Sequence, residues 1–315
     1  MTDVSYLQSV VIGLLQGATE LFPVSSLGHS VLVPALIGGS WQHLVTESAG
    51  RASEESPYLA FIVALHVATA LALLWVFRTD WVRIIRAFFH TLRTRRVDTS
   101  AERLAWLIVA ATIPVGVTGL LLEHTFRTLF AKPLAAAIFL TINGLILLAG
   151  ERLRRVSDAR AHEGDGADTA ETAETAGGRR LVVGQRRTLD RLAFREAGII
   201  GLFQTLALFA GISRSGITMV AGLLRGLDHE DAARFSFLLA TPVILAAGVL
   251  KAPTLAGPAG AHIHGQILVG MVTAGVAAYV SVKFLLRYFQ TRTLTPFAIY
   301  SLAAGGLCIL RFSIG

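Results

Sequence analysis

The sequence predicts an all-α integral membrane protein that crosses the bilayer several times. Of its 315 residues 53% are hydrophobic and 16% are charged, and the mean hydropathy is +0.61. Soluble domains carry about 25% charged residues. Apolar segments recur along the whole chain, and most are long enough, at ~17–25 residues, to span ~30 Å of hydrocarbon. They cover residues 9–38, 59–77, 104–122, 132–149, 197–224, 235–250, 265–286 and 294–312.

One short pattern occurs once in each half of the chain. Gly-Leu-Leu-Gln ends at Gln16 and is followed nine residues later by Ser25-Ser26. Gly-Leu-Phe-Gln ends at Gln204 and is followed nine residues later by Ser213-Arg214-Ser215. Broken apolar helices that repeat in two halves of a membrane protein indicate a polar site inside the bilayer. We therefore expect two interlocked inverted-topology repeats around such a site.

The two segments that carry this pattern are long but interrupted. The first breaks between Pro23 and His29, and the second between Gly211 and Gly216. Because each arm is too short to cross the bilayer, we expect residues 9–38 and 197–224 to form re-entrant helical hairpins. Non-helical backbone at membrane depth is tolerated where it is buried in protein or lines a wet cavity.

The other apolar segments complete two halves of equal design. The first repeat, residues 1–150, and the second, residues 197–315, each combine one hairpin with three full transmembrane helices, about six in all. Residues 151–196 form a basic, low-complexity linker between them. Its stretch 162–178 is expected to be disordered, because it lacks the apolar residues of a core.

Basic residues indicate the orientation of the chain. They crowd residues 78–103 and 152–195, and a smaller group lies at 283–292. Counting crossings places the three groups on one face, which the positive-inside rule makes cytoplasmic. Both chain ends and the 39–58 loop then lie outside the plasma membrane. Beside membrane segments, these arginines indicate topology rather than nucleic-acid binding.

The first turn combines a carboxylate with an imidazole and hydroxyls. Gln16 and Glu20 are four residues apart and share a helix face, and Ser25, Ser26 and His29 follow them. A carboxylate at this depth is costly and marks a functional site by default. A Glu20 merely satisfied by neighbouring hydroxyls is the alternative. Glu20 could bind a divalent cation (Mg²⁺ or Ca²⁺), and Gln16 is its nearest candidate partner.

The second turn has the composition of a phosphate site. Arg214 lies between Ser213 and Ser215, and Gly211 and Gly216 permit close approach of the backbone. The guanidinium stays protonated and needs an anion. Hydroxyls and free N–H groups at a helix start also favour phosphate. An ion pair between Arg214 and Glu20 is the competing interpretation, and the two are compatible.

Together the two turns predict attack on a phosphorylated group. Ser26, or less favourably Ser25, is the expected nucleophile and His29 its base. Arg214 would hold the charge on the phosphoryl oxygens, and Glu20 would act through a metal or orient His29. A lipid-phosphate transporter is the rival class, because inverted repeats around a site at the membrane midplane are typical of transporters. Such a carrier would need Arg214 but not both Ser26 and His29.

Residues away from the turns are less informative. His66 lies inside an apolar helix, where a structural role and a site role are equally expected. Lys251, His262 and His264 are expected at the membrane interface. The single cysteine, Cys308, excludes an intramolecular disulfide, and the N-terminus shows no pattern of a cleaved signal.

At these motifs the sequence resembles the bacterial undecaprenyl-diphosphate phosphatase family, also called the bacitracin-resistance proteins. Residues 16–29 resemble its first motif and residues 210–216 its second, and the match runs nearly end to end apart from 150–196. The resemblance implies hydrolysis of undecaprenyl diphosphate to recycle a cell-wall lipid carrier, at a site open to the outer face. It implies a divalent cation and leaves a homodimer open. The implied site comprises Glu20, Ser25, Ser26, His29, Ser213, Arg214 and Ser215.

Three positions depart from the pattern of that family. Gln16 stands in place of an acid, Leu27 in place of a hydroxyl residue and Ala210 in place of proline. These changes are expected to weaken metal binding, reduce phosphate contacts and loosen the second turn, respectively. None removes a residue assigned to a chemical step.

Overall fold

The structure, a computed structural model, describes residues 4–50, 57–122, 132–167, 189, 192–256 and 262–314. Within these ranges the chain is helical and contains no extended strand. The helices are α1 (Tyr6–Thr19), α2 (Ser26–Ile37), α3 (Gly39–Gly50), α4 (Pro57–Val76), α5 (Arg78–Thr94), α6 (Ser100–Leu121), α7 (Pro133–Ala167), α8 (Phe194–Gln204), α9 (Arg214–Leu223), α10 (His229–Ala256), α11 (His264–Tyr288) and α12 (Thr295–Ile314).

The predicted membrane spans are confirmed in number. Among the described residues, five helices are long and apolar enough to cross a bilayer: α6, α7, α10, α11 and α12. Helix α4 with α5 makes a sixth candidate, although the pair is bent by 86°. The chain is therefore an all-α, multi-pass membrane protein.

Both hairpins form where the sequence predicts them. In the first, α1 ends at Thr19 and α2 begins at Ser26. In the second, α8 is extended by a 3₁₀ turn at Thr205–Leu208 before α9 begins at Arg214. All four arms are shorter than the ~20 residues that a single crossing needs.

The two halves interlock by exchanging equivalent contacts. Helix α1 packs against α11, and its counterpart α8 packs against α6. The glycine of the repeated pattern explains both contacts, because a Cβ at Gly13 would lie 2.6 Å from the Gly270 carbonyl oxygen. At Gly201 a Cβ would lie 2.3 Å from the Ala111 carbonyl oxygen. Helices α4 and α10 pair across the halves, as do α7 and α12.

Two elements differ from the sequence prediction. Helix α7 continues to Ala167, past the expected end at residue 149 and into the expected linker. Residues 168–178 of the stretch predicted to be disordered lie outside the described residues. The first basic region contains a helix, α5, in place of a simple loop.

Helix α5 is amphipathic. Its side chains Val82, Ile85, Phe89 and Leu92 are exposed. The adjacent face packs on α6, where Trp106 Nε1 donates to Thr91 Oγ1 at 2.9 Å. A helix of this kind, nearly perpendicular to a membrane span, suits the plane of the interface.

The described parts of the three basic regions, and residues next to them, lie at one end of the bundle. Arg234 on α10 pairs with Asp80 on α5 at 2.8 Å, and Arg103 donates to the Leu192 carbonyl. Buried Glu151 on α7 accepts from the backbone N–H of Leu294 at 2.8 Å. These contacts agree with the placement of all three regions on the same face.

Candidate active site

The two turns meet in the middle of the protein, and hydroxyls link them. Ser25 caps α2, where its Oγ accepts from the Gly28 N–H at 3.2 Å. The same Oγ accepts from the Gly211 N–H of the other turn at 3.1 Å. Gly211 has φ +113°, a backbone conformation that residues other than glycine rarely adopt. A Cβ at this position would lie 2.4 Å from the Ala136 carbonyl oxygen.

The second turn is tied back to the first through a carbonyl. Ser213 and Ser215 both donate from Oγ to the Phe22 carbonyl oxygen, at 3.4 and 3.2 Å. Ser213 also caps α9 by accepting from the Gly216 N–H at 3.1 Å. The hydroxyls of Ser25, Ser213 and Ser215 therefore hold the two turns together, and their expected contact with phosphate stays a prediction.

Glu20 is the centre of the polar cluster. Its Oε1 accepts from Arg214 Nη2 at 2.9 Å. Its Oε2 accepts from Ser26 Oγ and from Gln16 Nε2, the latter at 3.0 Å, and His66 Nε2 lies 3.2 Å away. The expected pairing of Glu20 with Arg214 is confirmed, and the carboxylate has a partner at each oxygen.

Arg214 has an unused donor. While Nη2 binds Glu20, Nη1 is buried and has no hydrogen-bond partner among the described residues. Thr218 Oγ1 donates to the Arg214 carbonyl at 2.7 Å and fixes the backbone of this turn. An unsatisfied buried guanidinium N–H is costly, and an anionic ligand would satisfy it.

His66 belongs to the site. Its Nδ1 lies 2.8 Å from the Ile62 carbonyl oxygen and its Nε2 faces the Glu20 carboxylate. Because both ring nitrogens face acceptors, the ring satisfies both contacts when each nitrogen carries a hydrogen. Of the two roles that the sequence left open for His66, the geometry favours the site role.

The expected base, His29, makes no hydrogen bond to Ser26 in this structure. His29 Nδ1 donates to the Ser25 carbonyl at 2.6 Å. With that hydrogen on Nδ1, Nε2 accepts from the Tyr300 hydroxyl at 2.8 Å. Ser26 is bonded instead to Glu20. The hydrogen-bonded base of the serine in this structure is therefore the Glu20 carboxylate.

Sequence reasoning missed two residues that contact the turns. Asn143 on α7 is buried and contacts both turns. The sequence does contain a sign of this role, because Asn143 is a single amide in an apolar segment, and a polar side chain at membrane depth indicates a functional site. Tyr300 on α12 has no comparable signal, because a single tyrosine in a membrane helix is ordinary.

The described site does not fit a divalent cation held by protein ligands. Both oxygens of Glu20 already accept hydrogen bonds, and Gln16 directs its amide nitrogen toward Oε2, so Gln16 Oε1 is the one oxygen of this pair without a partner among the described residues. In the part of the chain that the structure describes, no group of three or more His, Cys, Asp or Glu side chains could hold a metal. The guanidinium of Arg214 would also repel a second cation on Glu20.

The remaining candidates lie away from the centre. His262 and His264 are exposed near the start of α11. The side chain of Lys251 falls outside the described residues. Cys308 is a free, buried thiol in α12.

Comparison with known proteins gives full-length matches. The model of the bacitracin resistance protein BacA family matches residues 9–307. The chain is 68% identical to undecaprenyl-diphosphatase 2 of Frankia alni over 100% of both chains. It is 56% identical to undecaprenyl-diphosphatase of Mycolicibacterium paratuberculosis over 98% of each chain. It is 42% identical to undecaprenyl-diphosphatase 2 of Burkholderia orbicola, over 97% of this chain and 96% of the relative.

Proposed function

Because this chain belongs to the bacitracin resistance protein BacA family, we propose that it hydrolyses undecaprenyl diphosphate to undecaprenyl phosphate and inorganic phosphate. Full-length relatives that carry the name undecaprenyl-diphosphatase support this activity. The chemistry is inferred from one observation: the buried hydroxyl of Ser26 is hydrogen-bonded to the Glu20 carboxylate. The same carboxylate binds Arg214 Nη2, while Arg214 Nη1 has no partner among the described residues. A transporter that only binds the lipid phosphate would not need a serine hydrogen-bonded to a carboxylate, as Ser26 is to Glu20.

Binding begins with Arg214. We propose that the terminal phosphoryl group of the substrate docks on Nη1, the donor that no described residue engages. Helix α2 begins at Ser26 and helix α9 at Arg214. The dipoles at these two N-termini favour the negative charge of the phosphate. The charge of the phosphate would then draw the whole guanidinium, including Nη2, away from Glu20.

The first chemical step uses Ser26. Its Oγ attacks the terminal phosphorus while its proton passes to Glu20 Oε2, the oxygen to which it already donates. The bond between that phosphorus and the bridging oxygen breaks, and undecaprenyl phosphate leaves with the bonding electrons. As Arg214 turns to the phosphate, Glu20 loses one donor and becomes a better acceptor for the serine proton. Substrate binding thereby activates the nucleophile.

The second step releases phosphate from Ser26. We assign His29 to this step, because its Nε2 accepts from the Tyr300 hydroxyl, which a water molecule can replace. His29 takes a proton from that water as its oxygen attacks phosphorus, and the serine oxygen leaves and recovers a proton from Glu20. This role differs from the one expected from sequence, in which His29 deprotonated Ser26 directly.

The divalent cation expected from the sequence stays a prediction. Since Glu20 is occupied by hydrogen-bond donors, no step above passes through a metal. We propose that Mg²⁺ or Ca²⁺, where it stimulates turnover, enters with the diphosphate, whose oxygens are the ligands that these hard cations prefer.

We further infer a plasma-membrane location with the site open to the outer face. The described parts of the three basic regions lie at one end of the bundle, and the positive-inside rule makes that end cytoplasmic. The homodimer that the sequence left open stays a prediction.

Phosphate release from undecaprenyl diphosphate by purified protein tests the activity. We expect turnover by the wild type and loss of at least ~10²-fold in Arg214→Ala, since an arginine that stabilises the transition state contributes on this order. Gel filtration and thermal unfolding check that the variant is folded. Near-normal hydrolysis by folded Arg214→Ala would refute the proposed mechanism, and binding without release by the wild type would favour a transporter.

A further inference from the structure

One amide side chain joins both turns of the site. Asn143 Nδ2 donates to the Pro23 carbonyl of the first turn at 3.0 Å. Asn143 Oδ1 accepts from the Ser213 N–H of the second turn at 2.9 Å. A third bond runs from Nδ2 to Ser301 Oγ at 3.2 Å. Asn143 is 1% exposed, so bulk water does not reach these contacts.

Only an amide of this size satisfies both turns. The first turn presents a carbonyl and needs a donor, whereas the second presents an N–H and needs an acceptor. Asn offers two donors and one acceptor oxygen on one short side chain. Ionised aspartate has no donor, and leucine has neither group. In one orientation of the Asn143 amide, its NH₂ group therefore faces the carbonyl of the first turn and its oxygen faces the N–H of the second.

The helix that carries Asn143 is itself fixed. A Cβ at the adjacent Gly144 would lie 2.8 Å from the Ala298 carbonyl oxygen, so α7 and α12 are in close backbone contact there. On the other side, a Cβ at Gly305 would lie 2.9 Å from the Ala137 carbonyl oxygen. Asn143 is thus held on a closely packed helix pair, between the two non-helical turns that it contacts.

The two bonded residues lead directly to the reacting groups. Pro23 precedes Ser26 by three residues, and Ser213 precedes Arg214. We propose that Asn143 is a positioning residue that sets the distance between the nucleophile of one turn and the phosphate-binding arginine of the other. This inference rests on the proposed function, because it assigns Ser26 and Arg214 to one reaction.

The test compares three substitutions in purified full-length protein. Asn143→Leu is nearly isosteric and removes every bond, while Asn143→Asp keeps the acceptor for Ser213 and removes the donor for Pro23. Ser301→Ala is the matched control, because it removes a bond to Asn143 that reaches neither turn. Each protein is measured for kcat and KM with undecaprenyl diphosphate and for hydrogen exchange at the Ser213 amide.

We expect kcat to fall about 10²-fold in both Asn143 variants, the effect of a misplacement of about 1 Å. KM should change by less than about threefold, since Nη1 of Arg214 remains available for binding. The Ser213 amide should exchange faster in Asn143→Leu and stay protected in Asn143→Asp. Ser301→Ala should match the wild type within about twofold in kcat, as expected for a residue outside the reacting geometry.

Three results would overturn the inference. The first is a kcat near that of the wild type in Asn143→Leu. The second is an unchanged hydrogen-exchange rate of the Ser213 amide in that variant, and the third is a loss of kcat in Ser301→Ala equal to that in Asn143→Leu. If Asn143→Asp fails to fold, Asn143→Leu decides alone, because an apolar side chain suits a membrane helix. A wild type that releases no phosphate but shows Asn143-dependent exchange at Ser213 would instead refute the function and retain the link between the turns.

Discussion

At the scale of single residues, the site is organised by competition for one carboxylate. Glu20 accepts from an arginine, a glutamine and a serine and faces His66. A buried carboxylate needs such partners because its desolvation is costly. In the proposed mechanism, each donor that leaves Glu20 makes it a better proton acceptor, which would connect substrate binding with the chemical step.

His66 should matter through Glu20 and not through the substrate. In His66→Phe the Glu20 carboxylate is no longer held in place toward Ser26, and this loss of orientation should outweigh the gain in basicity, so we expect kcat to fall about tenfold or more with little change in KM. His66→Gln should restore part of the activity, since its amide N–H can donate toward Glu20. Steady-state kinetics on the two variants measure this, and a His66→Phe enzyme with the kcat of the wild type would show that His66 is only structural.

At the scale of helices, glycines set the distance between the two halves. Helix α8 carries Gly201 against α6, whereas a Cβ added at Gly198 on the same helix would have no described atom within 4 Å. We expect Gly201→Ala to lower the unfolding free energy by about 1–3 kcal/mol through overpacking. Gly198→Ala should be neutral or stabilising, because alanine is the better helix former.

Thermal unfolding in detergent compares these two variants directly. The same substitution is made three residues apart on one helix, so propensity is matched and only the contact with α6 differs. Equal melting temperatures for the two variants would contradict the close packing of α8 on α6.

Sequence and structure agree best on the hairpins and on the Glu20–Arg214 pair. The interruption of two apolar segments fixes the hairpin positions, and the cost of a buried charge brings opposite charges together. The sequence does not decide which side chain contacts Ser26, because Glu20 and His29 are both near Ser26 along the chain. The choice between them depends on the Ser25 carbonyl and on Tyr300, which is 271 residues from His29. No local pattern encodes such a contact.

At the scale of the whole molecule, the gathering of the basic regions at one end predicts a single orientation in the membrane. Arg95 follows α5 at the basic end, and His262 precedes α11. In a Cys308→Ser background, Arg95→Cys should resist a membrane-impermeant thiol reagent in intact cells, and His262→Cys should react. Both side chains are exposed in the structure. The reverse labelling would place the basic regions outside and the site toward the cytoplasm.

The proposed chemistry depends above all on attack by Ser26 on phosphorus, and trapping the phosphoryl enzyme is the decisive experiment. His29→Ala should slow the second step, so brief incubation with substrate labelled in its terminal phosphate should leave label on the protein after acid quenching. We expect label on the peptide that contains Ser26, and none in the double variant Ser26→Ala/His29→Ala. Label on another residue, or phosphate release by folded Ser26→Ala at the rate of the wild type, would contradict this chemistry.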